Sequence, residues 1–182
     1  MFKAKAYSAS SATSPLALDS IQRREPIESD VQIEILFCGI CHSDLHTARN
    51  EWSSVMPTTY PCVPGHEIVG TVARIGDGVS KFAIGDTVGV GCMVNSCQVC
   101  AACIAGEEQY CSGPKSATFT YNSPKLPNGS NSYGGYSDSI TVREEFVVSI
   151  PAVIEPAKAA PILCAGVTTY SPMQHFGLKK GQ

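Results

Sequence analysis

The sequence of 182 residues has little charge and no long hydrophobic run. Charged residues make up 16% of it and the net charge is −3, so the charge balance does not favour nucleic acid or an anionic membrane as a partner. No stretch approaches the ~18 apolar residues of a membrane span, and the N-terminus lacks the apolar segment of a signal peptide. We therefore expect a cytoplasmic protein that binds neither membranes nor nucleic acid.

The residues that are plentiful predict short strands and many turns. Apolar residues account for 43% of the sequence, which is enough for a packed core, and there are 16 glycines and 12 prolines. Apolar and polar residues alternate from Val31 to Phe37, which is typical of a half-buried strand. Further strands are predicted at 67–76 and 86–92, and the strands at 136–142 and 145–150 are predicted to form a hairpin or corner. This spacing favours a β-barrel or a β-sandwich.

Helical patterns are fewer and lie in two places. Residues 42–50 predict a short helix, with Ser43 or Asp44 as its cap. After residue 155 the sequence becomes rich in alanine and predicts two short helices, broken at Pro161 and Pro172.

Four of the nine cysteines lie close together in "CQVCAACIAGEEQYC", at Cys97, Cys100, Cys103 and Cys111. Four thiolates at this spacing can surround one tetrahedral zinc ion, and a closed set of four is typical of a structural site. An iron–sulfur cluster is the main alternative, but the third spacing, of seven residues, is too long for a ferredoxin pattern and no Cys-Pro follows. An odd cysteine total fits a reducing compartment better than a disulfide framework, although four disulfides in a secreted protein remain an alternative.

Other potential ligands are dispersed along the chain. Cys41 lies in "GICHSDLH", directly after a predicted strand, and His66 and Glu67 lie in "PCVPGHEIVG", directly before one. Functional residues are commonly displayed at such junctions. Cys38, Cys62 and Cys92 are interpreted as packing residues.

Together these segments resemble a known family. "GICHSDLH", "IGDGVSKFAIGDTVGVGC", the four-cysteine segment and "ILCAGVTTYSP" are similar to the zinc-containing alcohol dehydrogenases of the medium-chain dehydrogenase/reductase superfamily. The segment "GHEIVGTVARIGDGV" matches the family signature Gly-His-Glu-x2-Gly-x5-Gly-x2-Val at every fixed position. The similarity runs from Phe2 to Gln182, and is greatest to the aldehyde reductases that resemble cinnamyl alcohol dehydrogenase.

The resemblance implies a mainly β fold. A GroES-like barrel catalytic domain with a few short helices is expected over residues 1–150, with a structural zinc lobe at 92–115. Residues 151–182 are expected to be a helical linker toward a Rossmann domain. That domain is expected to be absent from this chain, because no Gly-x-Gly-x-x-Gly turn occurs in it. We expect such a fragment to bind zinc without turning over alone.

The resemblance also assigns the metal ligands. It implies that Cys41, His66 and Cys164 hold a catalytic zinc, which Glu67 can approach, and that the four clustered cysteines hold a second zinc. Glu67 has a plainer alternative, as a carboxylate paired with an arginine.

Five further site residues follow from the resemblance. Asp44 is expected to orient His66, and Ser43 and His46 to form a proton relay. Trp52 is expected to line the substrate pocket, and Thr168 to contact the nicotinamide ring. The alternatives are helix capping for Ser43 and Asp44, a solvated helix position for His46, and a core position for Trp52.

The implied activity is reversible hydride transfer between NADP(H) and a primary alcohol or aldehyde, with zinc as the Lewis acid. The alternatives are a polyol or formaldehyde dehydrogenase of the same superfamily and a non-catalytic, zinc-stabilised GroES-like binding module. The full-length protein is expected to be a homodimer. The residues that select NADP or NAD are expected outside this chain.

Overall fold

The computed structural model describes residues 1–113, 117–123 and 131–182. Within these ranges the chain forms nine strands, in the order β1 (Phe2–Ser8), β2 (Ala17–Arg23), β3 (Asp30–Cys38), β4 (Ile68–Ile75), β5 (Thr87–Val90), β6 (Met93–Asn95), β7 (Thr118–Phe119), β8 (Ser139–Arg143) and β9 (Val147–Ser149). The α-helices in the same ranges are α1 (His42–Ala48), α2 (Ala101–Ile104), α3 (Pro156–Ala159) and α4 (Ala165–His175). Three 3₁₀ turns accompany them, at Glu108–Tyr110, Glu144–Phe146 and Ala160–Leu163.

The main sheet is curled into a half-barrel. Its five strands are antiparallel and follow the order β8-β3-β4-β5-β9, which places β8 and β9 at opposite edges. Only the turn Glu144–Phe146 joins those two edges along the chain. Four residue steps reach at most ~15 Å, whereas a flat sheet of five strands is ~19 Å wide. The sheet must therefore curl, and the predicted hairpin or corner near residue 145 is a corner.

The barrel core consists of alternating side chains from the curled sheet. Val31 and Ile33 of β3 are fully buried, as their alternation with polar residues predicts. The buried side chains that form one cluster are Val31, Ile33, Ile68, Val72, Phe82, Val88, Val90, Val94, Ile140, Val142 and Val147. This cluster fixes the strands whose ends carry the dispersed ligands.

The predicted inward alternation is wrong at Phe37. The pairing of β3 with β4 shifts between Ile35 and Phe37, as a β-bulge does, and this changes which side chains face the core. Phe37 is consequently 44% exposed, and Cys38 packs against the barrel core. The irregular end of β3 leads directly to Gly39 and Cys41.

A hairpin that the sequence did not predict precedes the barrel. Strands β1 and β2 pair in antiparallel register from Phe2 with Arg23 to Ser8 with Ala17. The buried face of the hairpin carries the small residues Ala4 and Ala6 beside Ile21 and Val63. Alanine contributes little to a hydrophobic alternation pattern, so this strand pair has a weak sequence signal.

The C-terminal region is helical, but one predicted break is wrong. Helix α3 ends at Ala159, a 3₁₀ turn that contains Pro161 follows, and Ala159 and Ala160 pack on Val69 of the barrel. Helix α4 continues through Pro172, whose missing N–H removes one hydrogen bond inside the helix without ending it. Among the described residues no helix is both long and apolar enough to cross a membrane.

Candidate metal centres

The four clustered cysteines converge in a lobe beside β6. The Sγ atoms of Cys97, Cys100, Cys103 and Cys111 all lie within 4.8 Å of one another. The Sγ of Cys103 is 3.8 Å from that of Cys97 and 3.5 Å from that of Cys100. Two thiolates bound tetrahedrally at the usual Zn–S distance are ~3.8 Å apart. The set therefore fits one zinc ion, and it encloses too little space for a cluster of several irons.

Backbone groups of the lobe face the sulfur atoms. The N–H groups of Cys97 and Cys100 donate to the Sγ atoms of Cys111 and Cys97, each at 3.4 Å. Backbone N–H groups of Cys103 and Ser112 lower the pKa of Cys100 to about 6. Such donors favour thiolates, which are the form that binds a metal.

The dispersed residues form a second candidate centre. Cys41 is the N-cap of α1, His66 and Glu67 precede β4, and Cys164 precedes α4. One ligand atom from each of these four residues lies within 4.8 Å of the others. The two Sγ atoms are 3.9 Å apart, close to the separation that tetrahedral zinc requires.

The thiols of this centre are electrostatically coupled. Burial and the proximity of Cys41 together raise the pKa of Cys164 to about 12. Two thiolates at this separation repel each other, so a bound cation would stabilise the doubly deprotonated pair. All nine cysteines of the chain are free.

Asp44 connects the predicted ligands to one another. Its Oδ1 accepts hydrogen bonds from His66 Nδ1 at 2.8 Å and from the N–H of Gly65 at 2.9 Å. Its Oδ2 accepts from the N–H of Cys41 at 3.0 Å, so the same carboxylate caps α1 and contacts the imidazole. Burial acts to raise the pKa of Asp44, but these hydrogen bonds outweigh it and the pKa lies below its usual value. Because Nδ1 of His66 faces Asp44, Nε2 is free to face the thiols.

Glu67 is buried beside the same centre. The residue is 3% exposed, and among the described residues it forms no ion pair with an arginine or lysine. Gly39 makes room for its carboxylate, since a β-carbon on Gly39 would lie 2.0 Å from Glu67 Oε2. The arginine pairing considered for Glu67 is thus not seen in the described part of the chain.

A cavity of about 220 Å³ opens onto the dispersed centre. It is lined by the predicted residues Ser43, Trp52, His66 and Cys164, together with residues that had no predicted site role, namely Thr47, Met56, Cys92, Phe119, Thr120 and Tyr121. Three of these six side chains come from β7 and the residues after it, far from His66 in sequence. Only the fold brings them to the cavity.

The two predicted relay residues of α1 have different neighbours. Ser43 Oγ is 3.7 Å from Cys41 Sγ, whereas the imidazole of His46 contacts Glu51 and stacks near Trp52, with ring centroids 5.0 Å apart. Among the described side chains, Ser43 and His46 share no direct hydrogen bond.

Thr168 lies on the exposed surface of α4. Its N–H donates to the carbonyl of Cys164 at 2.9 Å, so it follows that residue by one helical turn on the same face. Thr168 does not line the 220 Å³ cavity.

Comparisons with known proteins agree with this geometry. The family model described as "Alcohol dehydrogenase GroES-like domain" matches residues 27–152. Aldehyde reductase YahK of Escherichia coli (strain K12) is 51% identical over 181 residues, which are 99% of this chain and 50% of that protein. Probable cinnamyl alcohol dehydrogenase 5 of Oryza sativa subsp. japonica is 52% identical over 173 residues, covering 95% of this chain and 46% of that protein.

A solved structure extends the likeness to the fold. The cinnamyl alcohol dehydrogenase (CAD) of Helicobacter pylori complexed with NADP(H) has a TM-score of 0.92 and 41% identity, over 99% of this chain and 50% of that one. The chain therefore spans about half the length of the relatives that it matches. The predicted resemblance and fold class are confirmed, and the chain belongs to the alcohol dehydrogenase GroES-like domain family.

Proposed function

We propose that this chain is the zinc-binding catalytic half of an NADP(H)-dependent alcohol dehydrogenase that interconverts primary alcohols and aldehydes. The observation that carries the proposal is the convergence of Cys41, His66 and Cys164 beside a cavity, with Glu67 adjacent. Three protein ligands and an open side are typical of a catalytic zinc site, whereas the four-cysteine lobe has the closed set of a structural one. The names of the relatives, an aldehyde reductase and cinnamyl alcohol dehydrogenases, support this substrate class.

The residues of the site have different roles in binding the metal. Cys41, His66 and Cys164 hold the metal, and Asp44 keeps the imidazole in the orientation that presents Nε2. Zinc held there would supply Lewis-acid chemistry, polarising the oxygen of the alcohol or aldehyde. Glu67 lies close enough to approach a ligand position while the oxygen ligand exchanges.

The cavity residues position the substrate and exclude water. Trp52, Met56 and Phe119 present an apolar wall to the carbon chain of the substrate. Ser43 lies at the ligand end, where its hydroxyl can accept or donate the alcohol proton. Ser43 and His46 are both partly exposed and share no direct hydrogen bond among the described side chains, so a proton passing from one to the other must cross an intervening group such as a water molecule.

The cofactor would meet the site from the side of Cys164 and α4. Thr168, exposed one turn after Cys164, is placed to contact the nicotinamide ring. Within the described residues every strand pairing is antiparallel, so the nucleotide-binding sheet belongs to the half that the relatives have in addition. The proposal includes a cytoplasmic location and a homodimer for the full-length protein.

Metal analysis of the purified chain tests the proposal. We expect two zinc ions per chain, because the two ligand sets are separate. Cys41→Ser should lose one zinc and Cys100→Ser the other, since each removes one thiolate from one set. Cys62→Ala is the matched control: this buried cysteine belongs to neither set, and the variant should keep both zincs.

The same variants distinguish an enzyme from a binding module. In the full-length protein, Cys41→Ser should abolish NADPH-dependent aldehyde reduction, and Cys62→Ala should retain it. A single zinc in the unsubstituted chain, or full activity in Cys41→Ser, would contradict the proposal.

A further inference from the structure

Two tyrosines border the buried pair formed by His66 and Asp44. The hydroxyl of Tyr136 donates to Asp44 Oδ2 at 3.2 Å. The hydroxyl of Tyr121 lies 3.3 Å from His66 Nδ1, and its ring meets the imidazole edge-on with centroids 5.6 Å apart. Neither tyrosine has a role in the site described so far.

The Tyr136 contact completes the hydrogen bonding of Asp44. An ionised carboxylate offers about four acceptor positions. In Asp44 they are taken by the N–H groups of Cys41 and Gly65, by His66 Nδ1 and by the Tyr136 hydroxyl. Tyr136 lies outside residues 41–66, as does Tyr121, whose hydroxyl also interacts with Asp44. Tyr136 therefore ties the ligand loops to a distant part of the chain.

Two glycines hold Tyr136 against the turn that carries His66. The N–H groups of Gly134, Gly135 and Tyr136 donate to the carbonyls of Val63, Gly65 and Pro64 at 2.7, 2.8 and 3.0 Å, respectively. A β-carbon on Gly134 would lie 2.4 Å from the carbonyl oxygen of Pro64, so only glycine permits this approach. The two segments are thus bound backbone to backbone.

The ring of Tyr136 is also fixed by contact. Gly65 has φ +100°, and a β-carbon there would lie 2.7 Å from the Tyr136 ring. The ring lies over Gly65 while its hydroxyl reaches Asp44. This arrangement leaves the hydroxyl little freedom to turn away from the carboxylate.

We propose that Tyr136 is a positioning residue for the metal ligand His66. Its hydroxyl fixes the Asp44 carboxylate, the carboxylate fixes the imidazole plane, and Nε2 of His66 is thereby held toward the two thiols. The inference rests on the proposed function, because it requires that Cys41, His66 and Cys164 bind zinc. Partners of metal-bound histidines raise metal affinity by orienting the ring, and Tyr136 acts one step further out.

Zinc release from the chain tests the proposal with an internal control. A chromogenic chelator added to the zinc-loaded chain should remove the two zincs in two phases, and the phase missing in Cys41→Ser belongs to the catalytic site. Tyr136→Phe keeps the ring but removes the hydroxyl. It should speed the catalytic-site phase about threefold to tenfold and leave the lobe phase unchanged.

A matched variant and a spectrum separate positioning from general stability. Tyr60→Phe also removes a tyrosine hydrogen bond, from its hydroxyl to the carbonyl of Ala48 at 2.8 Å, but it lies outside the Asp44 set. It should change neither phase. With cobalt(II) exchanged into the catalytic site, the visible absorption bands should shift in Tyr136→Phe and not in Tyr60→Phe.

The outcomes distinguish the two claims. If Tyr136→Phe and Tyr60→Phe both keep two zincs and release them at equal rates, the role of Tyr136 is overturned and the proposed function is left intact. Faster release from both sites together in Tyr136→Phe would also count against it, because that is general destabilisation. Fewer than two zincs in the unsubstituted chain would overturn the proposed function itself.

Discussion

At the scale of single residues, the dispersed site depends on glycines at positions where a larger residue would clash with its neighbours. Gly39 leaves room for the Glu67 carboxylate, and Gly65 leaves room for Tyr136 directly before the ligand His66. Gly65 also adopts a positive φ, which L-residues avoid. The glycines thus set how closely the ligand loops can approach one another.

A pair of glycine variants separates crowding from backbone strain. Gly65 and Gly85 have similar φ values, +100° and +96°, but a β-carbon on Gly85 would meet nothing within 4 Å. We expect Gly85→Ala to lower the free energy of unfolding by about 1–2 kcal/mol from strain alone. Gly65→Ala should cost about 3–5 kcal/mol, because overpacking against Tyr136 is added. Urea unfolding of the zinc-loaded chain measures both, and equal losses would contradict the role of crowding.

Local sequence motifs predict the ligand candidates but not Tyr136. The ligand candidates Cys41 and His66 stand out because each follows or precedes a strand in a short, specific motif. Tyr136 does not, because its contact with Asp44 spans 92 positions of sequence and depends on how two loops meet. The neighbouring Gly134 and Gly135 were the available signal, since paired glycines before a strand indicate close backbone approach.

At the scale of elements, the strands were easier to predict than their ends. The alternation of apolar and polar residues predicts β3 and β4. The bulge that exposes Phe37 does not change this sequence pattern, so it could not be predicted. The hairpin of β1 and β2 was missed because its buried positions are mostly small or polar, namely Ala4, Ala6, Ser8 and Arg23. The predicted break at Pro172 was wrong, because an interior proline removes one helical hydrogen bond and does not have to end the helix.

Helix α4 should be poorly protected from hydrogen exchange compared with the barrel strands β3 and β4. It has no buried residue, and its apolar side chains Val167, Tyr170 and Met173 are 51%, 59% and 41% exposed. Few packing contacts oppose its local opening, so its amides should exchange with solvent well before those of β3 and β4. Hydrogen exchange measured by mass spectrometry checks this. Pro172→Ala, which restores a helical N–H, should slow exchange in α4 alone, and equal protection of α4 and β4 would contradict the expectation.

At the scale of the whole molecule, one barrel carries two candidate metal centres of different character. The lobe brings four cysteines together within 15 residues of sequence, from Cys97 to Cys111, so spacing alone was enough to predict it. The other centre gathers ligands from the N-terminus of α1, the start of β4 and the start of α4. Its ligand set was predicted by resemblance to a family, because spacing cannot identify ligands that the fold alone brings together.

The curled sheet also determines how Cys164 reaches the dispersed centre. The corner between β8 and β9 closes the half-barrel, and the segment after β9 returns over Val69 to deliver Cys164 beside Cys41. The domain limits predicted at 1–150 and 151–182 stay a prediction, and residues 159–160 pack on the barrel itself.

The most direct test of the account is anomalous X-ray diffraction at the zinc absorption edge from crystals of the zinc-loaded chain. We expect two anomalous peaks. One should lie among Cys97, Cys100, Cys103 and Cys111, and the other should lie within bonding distance of Cys41, His66 and Cys164. A single peak in the lobe, with no metal at the dispersed site, would contradict the central claim that these three residues form a catalytic zinc centre.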